Sequence, residues 1–212
     1  MTNFILRPDD IEKRSFEIIT AELGGRTFPE ERADIIKRVI HTTADFDYAD
    51  NLVFSENAVQ SALAALKGGA NIVTDTNMAF SGINKRSAAA LGCGVNCFMA
   101  DEDVAAEAKS RSVTRAVVSM EKAARLDGKT IFAIGNAPTA LLRLCELYDE
   151  GKISPALVVG VPVGFVNVVE AKEMLIKSGM PYIAARGRKG GSNVAAAVIN
   201  ALLYKITRET LI

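Results

Sequence analysis

The last third of the chain repeats one local pattern three times, and that repetition narrows the folds open to it. "TIFAIG" leads through "NAP" into "TALLRLCELYDEG"; "ALVVGV" leads through "PVGFVN" into "VVEAKEMLIKSG"; "YIAA" leads through "RGRKGGSN" into "VAAAVINALLYKI". Each unit is a short β-rich apolar run, a turn-punctuated loop and a segment of helical periodicity, the order that builds parallel strands joined by helical crossovers. Upstream, "NIVTDTNM" and "VNCFMA" read as strands, "SENAVQSALAALKGG" as a helix ended by Gly68 and Gly69, and "EDVAAEAKSRSVTRAVVSMEKAARL" as one helical stretch. The first part is helical, over "RPDDIEKRSFEIITAEL" and "PEERADIIKRVIHTTA". In the second of these Pro29 suits a first turn, Glu30 and Glu31 favour the positive end of the dipole, and Ile35/Val39 and Ile36/Ile40 are i,i+4 apolar pairs. The expectation is an α/β fold in three layers: a mostly parallel sheet flanked by helices, with Rossmann-like C-terminal βαβ units. No linker, low-complexity tract or fixed-period repeat interrupts residues 1–212, and 49% hydrophobic content suffices for one core, so a single domain is expected.

Charge narrows the partners. Lys plus Arg (25) equals Asp plus Glu (25), so no overall field gathers nucleic acid or an anionic membrane, and any anion must be held by local geometry. The apolar run in "MTNFILRPDD" is too short for a signal peptide or anchor, and no later stretch approaches about 18 uninterrupted apolar residues, so a cytoplasmic protein is expected. Cys93, Cys97 and Cys145 are odd in number, which argues against a disulfide framework. A zinc site built on the C-x3-C of "CGVNC" lacks a second ligand pair, so small apolar thiols on a strand and no metal site are expected.

In open parallel sheets ligands bind beyond the carboxyl ends of the strands, which directs attention to the loops after Ile134, Gly160 and Ala185. "RGRKGGSN" sets Arg186, Arg188 and Lys189 beside two glycines at the start of a helix, where amide groups and the dipole attract anions. It matches neither a P-loop nor a G-x-G-x-x-G fingerprint, so no nucleotide is indicated. The alternative is a solvated basic loop, in which three cations repel unless an anion or an acidic partner sits among them. Asn136 and Asn193, in two of these loops, join the three cations as candidate ligand contacts. The only histidine, His41, lies in "RVIHTTADFDYAD". If the helix runs through it, Arg38 and His41 are i,i+3 neighbours able to reach one ligand, with Asp45 or Asp47 available to orient the ring. On the residues alone, the choice between a catalytic and a structural histidine stays open. No G-x-S-x-G elbow is present, and Cys93 and Cys97 have apolar surroundings unsuited to a thiolate.

Taken in order, "RSFEII", "RVIHTTADFDYA", "IVTDTNM" followed by "SGI", "AIGNAPTALLRL", "GVPVGFVNVVEAK" and "RGRKGGSNVAAAVINAL" resemble the precorrin-8X methylmutase family, including its cobalt-precorrin-8 members, over about residues 11 to 204. The resemblance implies an isomerase of corrin biosynthesis that moves a methyl group from C-11 to C-12 of the macrocycle, giving hydrogenobyrinic or cobyrinic acid. It implies that His41 donates and accepts a proton and that Ser15 and Arg38 touch the substrate. It also implies a homodimeric α/β protein with no separate cofactor, cobalt arriving inside the tetrapyrrole where it is present. Ala44 departs from the pattern, standing where many relatives have glycine, a difference that bears on the turn after the helix. Such a substrate suits local cations for its acetate and propionate arms and an apolar cleft for its ring. The Val, Phe and Met residues of "GVPVGFVN" and "TNMAF" could line that cleft, although Phe165 and Met78 could equally be core or dimer contacts. "VAAAVINALL" could be buried within the domain or against a second subunit. Two rival functions fit the same residues: a corrinoid carrier, and an α/β enzyme acting on a phosphorylated metabolite held by "RGRKGGSN".

Overall fold

The structure, a computed structural model, describes residues 5–207; the first four residues of the stretch "MTNFILRPDD" lie outside it. The chain opens with α1 (Pro8–Glu22), α2 (Glu30–Thr43) and the single turn α3 (Tyr48–Asn51), then enters strand β1 (Leu52–Phe54). Helix α4 (Ala58–Lys67) leads to β2 (Asn71–Thr74), and two short helices, α5 (Asn77–Gly82) and α6 (Lys85–Ala90), precede β3 (Val95–Asn96). Helices α7 (Glu102–Arg111) and α8 (Arg115–Ala123) lead to β4 (Thr130–Ile134) and α9 (Pro138–Asp149). The chain closes with β5 (Leu157–Gly160), α10 (Val168–Lys177), β6 (Tyr182–Ala185) and α11 (Ser192–Thr207).

The strands form one six-stranded sheet in the order β1-β6-β5-β4-β2-β3, parallel throughout except for β1, which pairs antiparallel with β6. Alternation along each strand divides the core. Ile131 and Ala133 of β4 join the cluster built with α1, α2, α4 and α11, whereas Phe132 and Ile134 join the one built with α8, α9 and α10. Both faces are covered, and all five residues of β4 are buried, which is why the C-terminal strands read as continuous apolar runs. The expected three-layer α/β architecture is the one found.

Helix α11 lies at the centre of the first layer, packed on α2, α4, α5 and α6. It is apolar on nearly every side because it is surrounded within this chain: Val194, Ala195, Val198, Ile199, Leu202 and Leu203 are all fully buried. Small residues permit the crowding, and a Cβ at Gly82 of α5 would fall 2.9 Å from the Cβ of Ala196.

Two local expectations need correction, and one strand was not expected. The stretch from Glu102 to Leu126 is two helices, because Ser112 turns left-handed (φ 53°) and the Thr114 hydroxyl accepts the Val117 N–H to open α8. The strand in "VNCFMA" is limited to Val95 and Asn96, leaving Cys93 and Cys97 outside it. Strand β1, "LVF", carries too short an alternation to show in the sequence; pairing of Val53 with Ala184 defines it.

Helix α2 ends on Ala44, whose backbone is left-handed (φ 52°, ψ 31°) and whose N–H bonds the Ile40 carbonyl at 2.7 Å. A Cβ in that conformation costs about 1–2 kcal/mol. Ala44→Gly removes the strain and gives back part of the gain as unfolded-chain entropy, so it should stabilise by about 0.5–1 kcal/mol and raise Tm by roughly 2–3 °C in calorimetry. An unchanged Tm would refute the strain.

Candidate active site

Two buried charged side chains fix the loops beyond the carboxyl edge of the sheet. Asp75, the residue after β2, is 0% exposed. Its Oδ1 accepts the Gly135 N–H at 2.9 Å, and its Oδ2 accepts the N–H groups of Asn136 at 2.8 Å and Ala137 at 2.6 Å. Burial pushes this carboxyl upward, and the three amide hydrogen bonds pull against it. Glycine is required at 135, since a Cβ there would lie 2.6 Å from the Ser192 Cα and 2.7 Å from the Gly191 carbonyl oxygen. The head of α11 is tied to the same place by the 2.8 Å hydrogen bond between the hydroxyls of Thr76 and Ser192. Asn136 and Asn193, each next to a member of the Gly135–Ser192 contact, are exposed.

Lys172 of α10 is also 0% exposed, and its Nζ donates to the carbonyls of Gly187 and Lys189, both at 2.8 Å. Burial lowers its pKa to about 8. The basic loop is anchored further by Arg186 N–H to Asn51 O at 2.8 Å, Gly164 N–H to Arg188 O at 3.2 Å and Gly191 N–H to Val161 O at 2.8 Å. The three cations of this loop have different surroundings. Lys189 Nζ lies 2.6 Å from carboxylate oxygens of both Asp45 and Asp47. Arg186 Nε is 3.9 Å from Glu173 Oε1, a loose and exposed pair. Arg188 sits 5.5 Å from the centroid of the Phe165 ring and has no carboxylate partner among the described residues. The repulsion expected among clustered cations is thus relieved by an acidic pair from the turn after α2. The hydrogen bond from Lys189 holds the Asp45 carboxyl below its ordinary range. Both aspartates pair with Lys189, and neither is hydrogen-bonded to His41.

His41 is exposed in the last turn of α2. Its ring lies 5.5 Å from the ring of Phe16 in α1, tilted by 31°. Arg38 stands over the same Phe16 ring at 5.2 Å and over Tyr204 at 4.8 Å, and pairs with Glu12 at 2.6 Å. The i,i+3 neighbours therefore do share a face, with Phe16 in contact with both. The Ser15 hydroxyl donates to the Ile11 carbonyl one turn back, at 2.8 Å. Phe16 and Arg38 also line a groove of about 1090 Å³ between α1, α2 and α11. The candidate residues thus fall into two groups, Ser15, Arg38 and His41 beside α1 and Asn136, Arg186, Arg188 and Asn193 at the sheet edge. The Lys189–Asp45/Asp47 pairs link the turn after α2 to the basic loop.

Phe165 (83% exposed), in the loop after β5, and Met78 (71%), in the first turn of α5, both face solvent, which removes the core reading for both. Burial raises the thiols of Cys93 and Cys145, the latter to about 11, so neither is a ready thiolate. Among the described residues no group of three His, Cys, Asp or Glu side chains is placed to hold a metal ion, and no helix is long and apolar enough to cross a membrane. Sequence reasoning missed Asp75, Lys172, Phe16 and Tyr204. The first two did leave a signal: an acid just past the end of an apolar strand, and a lysine on the helix face that carries Val168, Ala171 and Leu175.

A family model described as precorrin-8X methylmutase matches residues 10–205. The cobalt-precorrin-8 methylmutase of Salmonella typhimurium is 46% identical over 211 residues, covering 96% of this chain and 98% of that protein. The cobalt-precorrin-8 methylmutase of Priestia megaterium is 45% identical over 197 residues, covering 93% and 88%. Among solved structures, that of a precorrin-8X methyl mutase from Thermus thermophilus superposes with a TM-score of 0.84 at 39% identity, over 92% of this chain and 94% of that one.

The depressed pKa of Lys172 makes stability depend on pH. Between about 8, its folded value, and 10.5, its ordinary one, the unfolded chain holds the extra proton, so stability rises with pH across that window. The rise due to this residue should reach on the order of 2–3 kcal/mol by pH about 10. Urea unfolding from pH about 7 to about 10 should show it in the native chain and lose it in Lys172→Met.

Proposed function

The chain belongs to the precorrin-8X methylmutase family, and we propose on that premise that it is an isomerase of corrin biosynthesis, moving a methyl group from C-11 to the adjacent C-12 of a precorrin-8 type macrocycle. The observation that carries this reading is the family match over residues 10–205, which spans every candidate site residue from Ser15 to Asn193. The bond from the methyl carbon to C-11 breaks as the bond to C-12 forms, so nothing leaves the substrate and no acceptor is needed. What the protein must supply is a held ring and a proton at the right moment. His41, exposed at the end of α2 beside Phe16, donates that proton to the conjugated system, draws electron density from the carbon framework and then recovers the proton. Positioned acid catalysis of this kind contributes about 10²–10⁴-fold, roughly 3–5 kcal/mol. The remainder comes from fixing the tautomer and pucker of the bound ring.

Arg38, held by Glu12 and by the rings of Phe16 and Tyr204, is rigid enough to act as a fixed substrate contact, with Ser15 on the neighbouring helix. Arg186 and Arg188 pair with acetate and propionate arms, Asn136 and Asn193 hydrogen-bond to them, and exposed Phe165 and Met78 offer apolar surface to the ring. Lys189 contributes through its tie to Asp45 and Asp47. The protein works as a cytoplasmic homodimer of one domain with no separate cofactor, and cobalt, where present, enters as part of the substrate.

Pure protein incubated with metal-free and cobalt-bound precorrin-8 should convert substrate with a change in visible spectrum, because methyl migration extends ring conjugation; simple carriage leaves the chromophore unchanged. His41→Ala should lose about 10²–10⁴-fold in turnover while ring binding stays within about twofold. Full turnover in that variant would sink the proton-carrier role. Replacing Arg186 and Arg188 together with Gln should weaken ligand binding and flatten its dependence on salt. Unchanged affinity would leave both as solvated surface.

A further inference from the structure

We propose that Lys172 is a positioning residue for ligand binding, its buried ammonium fixing residues 186–191 in the shape that presents Arg188 to a carboxylate of the ligand. The identity of the ligand rests on the methylmutase reading; the positioning itself does not.

Energetics first sets Lys172 apart. An ammonium taken wholly out of water costs several kcal/mol unless it is well paired and hydrogen-bonded. Lys172 has no carboxylate partner among the described residues and occupies a helix face shared with Val168, Ala171 and Leu175, where packing alone would be served by an apolar side chain. The amine instead meets two backbone carbonyls, those of Gly187 and Lys189, which flank Arg188. The carbonyl of Arg188 takes the Gly164 N–H. All three carbonyls from 187 to 189 are thereby engaged, two by one ammonium and one by the loop after β5. Gly187 adopts φ 75°, and Gly190 lies so close to that loop that a Cβ would fall 2.1 Å from the Val161 carbonyl oxygen. These contacts hold the backbone in an arrangement in which the Arg188 guanidinium stands over the Phe165 ring. Lys189 is held by Asp45 and Asp47 and Arg186 has Glu173 at 3.9 Å, so Arg188 is the cation of this loop with no carboxylate beside it among the described residues. A fixed guanidinium loses less freedom on meeting a carboxylate than a mobile one, which is how a residue remote from the ligand changes affinity.

The test is a double-mutant cycle on Lys172→Met and Arg188→Gln, read by visible titration with cobyrinic acid and by steady-state kinetics with the precorrin-8 substrate. Lys172→Met should weaken binding about tenfold and raise KM by the same factor while kcat stays within about twofold. Arg188→Gln should do likewise, and the double variant should be no weaker than the weaker single one, because Lys172 acts through Arg188. Additive losses, or unchanged affinity in Lys172→Met, overturn the proposal. Lys172→Gln, which keeps an N–H donor, is measured in parallel; it should show an intermediate loss, and it carries the cycle if the methionine variant does not fold. Failure of the native protein to bind cobyrinic acid or convert precorrin-8 would instead count against the methylmutase reading. Amide exchange decides the positioning in that event: loss of Lys172 should speed exchange at Gly164 and leave the amides of β4 and β5 unchanged. Equal exchange at Gly164 overturns it.

Discussion

A carboxylate with no water around it must take its donors from the backbone, and Asp75 meets that demand with three successive amides. Those amides lead into α9, so one side chain fixes where the β4 loop turns, how close Gly135 comes to Ser192 and therefore where the head of α11 lies. Lys172 answers the same demand with the opposite sign, its ammonium accepted by carbonyls of the loop after β6. Between them the two buried charges shape both loops that deliver polar side chains to the carboxyl edge. Interior cost is exchanged for surface order, and the loops carry little of the conformational freedom that a ligand would otherwise have to remove.

The chain is neutral overall, and its local cations are handled individually. Lys189 is spent on Asp45 and Asp47, tying the basic loop to the turn that follows His41. Arg38 is spent on Glu12 and sandwiched by Phe16 and Tyr204, with its orientation set before any ligand arrives. Arg188 is left exposed on an exposed ring. A large polycarboxylate ring is a natural match for such a surface: fixed charge in a few places, apolar faces between them, and no net field to attract unrelated polyanions.

Much of the fold was legible because its signals are local. The three C-terminal β-loop-α units fell where their apolar runs and glycine-punctuated loops placed them, and the i,i+4 pairs of α2 are buried as their spacing implied. What escaped depends on contacts distant in sequence. Strand β1 exists because β6 offers it an edge, and the break at Ser112 reflects a left-handed residue that no periodicity reveals. In the site, helical spacing correctly set Arg38 and His41 on one face, but it could not show Phe16 from another helix between them. Charge type pointed to the basic loop, yet not to which cation was already paired, because Asp45 lies 144 residues from Lys189 in sequence.

That separation, together with the wholly enclosed position of α11, bears on how the molecule is made. Helix α11 is synthesised after every other described element, yet α2, α4, α5 and α6 all pack on it. Until it docks, the first layer has no centre, and the apolar faces of those earlier helices stay open to solvent and to other chains. High contact order of this kind slows folding and lengthens exposure to aggregation. The growing polypeptide is therefore most in need of a chaperone while the earlier helices wait for α11, and the docking of that helix is the event that completes the core of the first layer.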